Sequence, residues 1–194
     1  MQTIRLKLTG QSPILMHSDR YANPLDASTK AHKVLTGKRK KLDEDHEAIA
    51  KSEWVGGLYF DSEIGPFIPG QNVKSALVNA AKIQKLGAAF KRAVIVLDDK
   101  ARLEYKGPRT IEGLFADSKF VDVRSVKIGT SRLMRYRPKF AEWSLTVEIM
   151  FSPEMVELDD VRRAAENAGL FVGIGDYRPE SGGSFGRFTA EVIQ

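Results

Sequence analysis

An α+β fold, an antiparallel sheet carrying two helices, is what this sequence predicts, and three observations lead to it. Ile4, Leu6 and Leu8 alternate with Arg5, Lys7 and Thr9, the period of a half-buried strand. Val73, Ala76, Leu77, Ala80, Ala81 and Ile83 recur at three- and four-residue spacing, which puts one apolar face on a helix. Alternating or β-branched runs at Ala93–Leu97, Ser144–Phe151 and Phe188–Ile193 flank a second helix whose inward side is Val156, Val161, Ala164, Ala165 and Ala168. With insertions at about residues 18–54 and 108–140 set aside, the order is β-α-β-β-α-β, the ferredoxin-like (RRM-like) arrangement. A single domain over residues 1–194 is expected.

Taken in order, the first strand runs from Gln2 to Thr9 and resumes at Pro13–Met16. Ser18–Leu25 has the turn chemistry of Asn23-Pro24. Asp26 or Ser28 caps a helix that reaches about Leu35, and Gly37 breaks it. A second helix runs from Asp43 to about Trp54, with its acids at the positive end of the dipole. Gly56–Phe60 reads as a short strand, and Pro66–Gly70 leads into the clearest helix, Gln71–Leu86. Ala93–Leu97 is a buried strand with Arg102–Tyr105 as its expected partner, and Pro108–Lys119 reads as loop. Val121–Lys127 alternates, with Ser144–Phe151 as its expected antiparallel partner and a basic hairpin between them. The last helix begins at Ser152 or Pro153 and ends at Gly169, and Phe188–Ile193 closes the chain as a strand.

Composition sets outer limits. The chain of 194 residues is 42% hydrophobic, enough for a proper core. Lys and Arg exceed Asp and Glu by 30 to 25, for a net charge of +5, which favours an anionic partner. There is no cysteine, so disulfides and thiolate metal sites are excluded and a reducing, cytoplasmic setting is expected. The N-terminus lacks the pattern of a signal peptide and no apolar run approaches a membrane span, so no membrane partner is expected. No metal or cofactor signature stands out.

Four stretches carry candidate binding chemistry. Within Leu170–Phe188, Gly173, Gly175, Gly182, Gly183 and Gly186 are interleaved with Tyr177, Arg178, Phe185 and Arg187. Such a loop can offer amides, guanidinium groups and rings to phosphates and bases. Its plainer reading is a tight strand entry with Gly169 and Gly173 as helix caps. Gly70, Gln71 and Asn72, with Lys74 nearby, open the long helix, where free amides and the dipole can hold a phosphate. Lys38, Arg39, Lys40 and Lys41 form the densest basic run. Arg124, Lys127, Arg132, Arg135, Arg137 and Lys139 make six positive residues with no acid between them, and Tyr136 and Phe140 are interleaved. Cations for phosphates beside rings for unpaired bases are a better nucleic-acid signal than net charge. The alternative is a ribbon whose cations pair with the protein's own acids or a partner subunit's.

Phe67–Leu77, F-I-P-G-Q-N-V-K-S-A-L, resembles the I-P-G-S-S-(L/I)-K-G stretch that opens the first helix in the RAMP superfamily, which includes backbone subunits of CRISPR surveillance complexes. Gly173–Phe188 is similar to the glycine-rich loop before the last strand of those proteins. Gln71 and Asn72 replace the usual hydroxyl pair, and Ser75 stands where glycine is common. The resemblance implies thumb-like projections from the two insertions that separate bases of a bound guide and touch a neighbouring subunit, with Lys38–Lys41 and Arg132–Lys139 as candidates.

The expectation is a non-catalytic protein that binds single-stranded RNA or DNA, RNA foremost, as a homo-oligomer or as a subunit of a ribonucleoprotein. Two rivals stand beside it. One is a metal-dependent or histidine-dependent endoribonuclease of the RAMP type, with His17, Asp19 and Asp26 after the first strand as its candidates and His32 and His46 lying in the insertion: an aspartate could orient the RNA 2′-hydroxyl or hold a metal, and a histidine could move its proton. The other is a phage or mobile-element protein that imitates a backbone subunit and blocks a CRISPR complex.

Overall fold

The computed structural model describes residues 1–193. In chain order the elements are β1 (Gln2–Gly10), β2 (Ile14–Leu15), α1 (Ala27–Thr36), α2 (Asp43–Gly57), β3 (Phe60–Asp61), β4 (Gly65–Pro69), α3 (Gly70–Ala81), α4 (Gly87–Ala93), β5 (Val94–Val96), β6 (Lys100–Arg102), α5 (Ile111–Ala116), β7 (Val121–Ile128), β8 (Ser131–Phe140), β9 (Ser144–Phe151), α6 (Leu158–Asn167) and β10 (Phe188–Ile193). They form two compact units, the first from residues 1–14, 60–106 and 140 onward, the second from residues 15–59 and 107–139.

The first unit holds a four-stranded sheet in the order β10-β1-β9-β5, antiparallel at every pairing. With α3 and α6 as the two crossovers, this is the ferredoxin-like topology. Register follows from which side chains must leave water: Leu6 lies opposite Val147 and Leu8 opposite Leu145, all four buried. The buried stripe of α3 (Val73, Ala76, Leu77, Ala80) and that of α6 (Val161, Ala164, Ala165) supply the helical side of this core, and the alanines let the two helices pack against each other. The sheet's opposite side carries Lys7, Thr146, Glu148 and Glu191, exposed, of mixed charge and without an aromatic ring. A second, smaller sheet runs β3-β4-β6.

The second unit packs α1 on α2 and carries the β7–β8 ribbon. Trp54 anchors it, fully buried, with Nε1 donating to the Phe120 carbonyl at 2.9 Å and its ring edge-on to Phe115. Tyr21 Oη donates to the Ser52 carbonyl at 2.6 Å, while the His32 ring stacks on Tyr21 and its Nδ1 lies 2.9 Å from Ser52 Oγ.

Several element assignments need correction. β7 pairs with β8, not with Ser144–Phe151, which lies between β1 and β5. Alternation identifies a strand and leaves its partner open; the basic hairpin expected in this stretch is built from β7 itself and β8. β6 pairs with β4, so the expected pairing of Arg102–Tyr105 with Ala93–Leu97 does not form. The stretch from Gly56 is helical to Gly57, and the strand follows at Phe60. The long helix stops at Ala81 and turns at Lys85, left-handed with φ +61°, before α4. Within Pro108–Lys119 a short helix forms, with Thr110 Oγ1 accepting from the Gly113 amide at 3.1 Å. α6 starts only at Leu158, and a π-type turn, Ala168–Val172, carries the chain past Gly169.

Candidate nucleic-acid interface

The β7–β8 ribbon sorts its side chains by face. Cross-strand register places Val123 opposite Tyr136, Ser125 opposite Met134 and Lys127 opposite Arg132, so these six share one face. Arg124 opposite Arg135 and Val126 opposite Leu133 share the other. Like charges directly opposed in a sheet repel, and here each has a carboxylate: Arg124 Nε donates to both oxygens of the buried Asp122 at 3.0 and 2.8 Å, and Arg135 Nη1 donates to Glu53 at 2.7 Å. Lys127 and Arg132 are exposed and form no ion pair among the described residues. On their face Val123 is 47% and Met134 52% exposed, with Tyr136 half-buried between strand and solvent. The result is an apolar and aromatic strip leading to a cationic tip. Lys139 is half-buried at the other end of β8, and Arg137 stands opposite Asp122.

The basic run in the same unit is partly consumed. Lys38 pairs with Asp45 at 2.5 Å, which holds the Asp45 carboxyl below its ordinary value, and Lys41 Nζ donates to the Lys38 carbonyl. Arg39 and Lys40 remain exposed and form no ion pair among the described residues. Among the candidate catalytic groups, Asp26 is the cap of α1: its Oδ1 accepts from the Ser28 and Thr29 amides and from the Ser28 hydroxyl, and those bonds, the hydroxyl's first, lower its pKa. His17, Asp19 and His46 are exposed. Burial lowers the pKa of His32. Among the described residues no three His, Cys, Asp or Glu side chains cluster as a metal site.

In the first unit, the loop and the helix start use most of their donors internally. The Gly70 amide donates to the Asp99 carbonyl at 2.9 Å, and a Cβ on Gly70 would sit 1.9 Å from the Asp98 carbonyl oxygen, so this glycine serves chain packing rather than an incoming phosphate. Gln71 and Asn72 follow it on α3, Gln71 exposed and Asn72 half-buried. In the loop, the Gly183 amide donates to Arg178, Phe185 to Tyr177 and Gly186 to Pro13. Gly186, at φ +67°, crosses so close to Ile174 that a Cβ would stand 1.7 Å from its carbonyl oxygen. Arg178 is held by Glu180 at 2.9 Å and Arg187 by the Leu170 carbonyl. Phe185 is 8% exposed, which removes it as a stacking platform. Tyr177 is 50% exposed, and Gly175 and Gly182 have positive φ. α3 does pack against the Ala168–Val172 turn that leads into the loop.

Sequence reasoning named Tyr136, Arg132 and Arg135 but missed Val123 and Met134, because a register was needed to put them on the tyrosine's face.

No protein-family model matches the chain, and no curated protein sequence does. Among solved structures, Cmr6 from Pyrococcus furiosus is similar at a TM-score of 0.42 and 9% identity, covering 98% of this chain and 98% of that one. Among the described residues no helix is long and apolar enough to cross a membrane.

Proposed function

We propose that this chain is a non-catalytic protein that binds single-stranded nucleic acid, RNA foremost, through the solvent face of the β7–β8 ribbon. One observation supports the reading: the ribbon's cations are divided, with Arg124 and Arg135 tied to acids near its base and Lys127 and Arg132 unpaired at its tip beyond Tyr136 and Met134. The unpaired cations suit phosphates, and the tyrosine ring and thioether suit the faces of unstacked bases, which every nucleotide offers. Arg39 and Lys40 add sequence-independent charge in the same unit. Base stacking on the exposed face of the main sheet, as RRM domains do it, lacks its aromatic rings here. The ribbon would therefore carry the contact, in the manner of the projections that the RAMP resemblance implies, and side-by-side assembly along the strand belongs to the same reading.

Fluorescence anisotropy with labelled oligouridylate and oligothymidylate over a salt series tests it. Affinity should fall with salt at about 0.7 log units per log unit for each phosphate held. Absence of binding at low salt to either strand overturns it. Cleavage of the unlabelled strand under the same conditions would favour the ribonuclease.

A further inference from the structure

The first unit carries a cluster of cations that the ribbon does not involve. α3, the turn after it and α4 enclose an open groove of about 730 Å³, into which Lys74, Lys82, Lys85 and Lys91 converge beside Ser75 and Asn79, and no carboxylate lines it. The geometry has a local cause. Lys74 and Val78 lie four residues apart on α3 and Lys82 continues that spacing into the turn that follows it, and beyond the left-handed Lys85 the next helix, α4, adds Lys91 to the lining. Lys82 Nζ donates to Asn79 Oδ1 at 2.7 Å, whereas the Lys74, Lys85 and Lys91 ammonium groups have no hydrogen-bond or ion-pair partner among the described residues. Lysines near a helix C-terminus complement its dipole, which accounts for Lys82 and Lys85. It accounts equally for Lys91, in the last turn of α4, but not for Lys74, in the second turn of α3.

We infer that this groove is a second contact for nucleic acid, one that holds the phosphodiester backbone and does not read bases. Four flexible ammonium groups with hydroxyl and amide neighbours match a row of phosphates. The absence of any aromatic ring from the lining leaves nothing to stack on a base. The inference rests on the nucleic-acid reading above, but it names different residues in a different unit.

Lysine acetylation footprinting by mass spectrometry, on the full chain with and without oligouridylate at low salt, tests it. Protection of Lys74, Lys82, Lys85 and Lys91 by the strand is expected, lost at high salt. Protection of Lys127 with unchanged reactivity in the groove overturns this inference and leaves the ribbon reading intact. Protection in the groove alone supports the groove and overturns the ribbon, and no protection anywhere overturns both. A Lys74→Gln/Lys91→Gln variant provides the second measurement: its salt slope should fall by about 1.4, two contacts at about 0.7 each, with little change in melting temperature because neither side chain has a hydrogen-bond or ion-pair partner among the described residues. An unchanged slope counts against the groove.

Discussion

Replacing the two unpaired cations of the ribbon, Lys127→Gln/Arg132→Gln, separates binding from folding. Neither side chain forms an ion pair among the described residues, and both are exposed, so the variant should melt with the wild type. Two lost phosphate contacts at about 0.7 each remove about 1.4 from the slope of log affinity against log salt. Across a fourfold range of salt, the wild type should then lose about sevenfold more affinity than the variant does. Arg135→Gln should behave in the opposite way. It strips the partner from Glu53, whose side chain is only 14% exposed. An unmet, half-buried carboxylate costs about 1–3 kcal/mol, and relief of the Arg124–Arg135 opposition offsets about 0.2–1 kcal/mol of that. The net expectation is a urea midpoint lowered by about 1–2 kcal/mol of stability, with the salt slope unchanged. Anisotropy titrations and urea melts on both variants decide it. If Arg135→Gln flattens the slope as much as the tip variant does, the division of the ribbon into a structural and a binding face is wrong.

Other consequences are simpler to state. Trp54→Ala should destabilise the second unit by about 3–5 kcal/mol, since it removes a fully buried indole and its bond to Phe120, and a urea midpoint near the wild type's would refute Trp54 as the anchor. Gly186→Ala should cost more than the ~1–2 kcal/mol of a left-handed residue, because the new Cβ meets the Ile174 carbonyl, whereas Gly182→Ala, at φ +78° with open space around it, should cost only that conformational part; equal thermal shifts would contradict the packing described. His32 has its pKa lowered from 6.5, first by burial, so the unfolded chain takes up its proton more readily; stability from this site is full above pH 6.5 and is lost as the pH falls through the lower folded value, and His32→Gln should flatten that acid-side loss in urea melts. Asp61 is lowered to about 2, mainly by its bond to Lys100, so its contribution is full above its ordinary value of 3.8 and disappears as the pH falls toward about 2; Asp61→Asn should remove that dependence in an acid titration followed by circular dichroism.

The fold was legible where periodicity and burial coincide. Leu6, Leu8, Leu145, Val147 and Phe188 alternate because one side of the sheet is covered by α3 and α6, and the glycine stops and starts bound those helices well enough to give the order of elements. Pairing was not legible, because alternation in β7 and β9 is the same signal whichever strand lies alongside. β8 was expected only as an arm of the basic hairpin, from its charge and not from a period. Only Pro138 and Phe140 of its ten residues are buried, so the hydrophobic period that marks a strand is nearly missing along it. The turn at Lys85 was hidden for a different reason, since a left-handed lysine carries none of the glycine or asparagine signature of such a cap.

The site raises the harder question of which charges a sequence leaves free. Counting residues from Arg124 to Lys139 gives six cations without an acid, yet the acids that claim Arg124 and Arg135 are Asp122, two residues before the run, and Glu53 on α2, far away in sequence. The glycine loop inverts the same lesson. Its density suggested an open cradle of amides, but the Gly183, Phe185 and Gly186 amides are bonded within the first unit and Arg178 is held by Glu180, so the glycines there allow backbones to cross closely. In the groove between α3 and α4, by contrast, the lysines are scattered from residue 74 to residue 91 and form no run, and only the turn at Lys85 brings them together. An exposed cation that faces its own acid gains little from the pair and has little left for a phosphate, whereas one without an acid releases counterions from a strand at full value. On that ground Lys127, Arg132 and the groove lysines, and not Arg178 of the glycine loop, are the positions where polyanion binding should be sought.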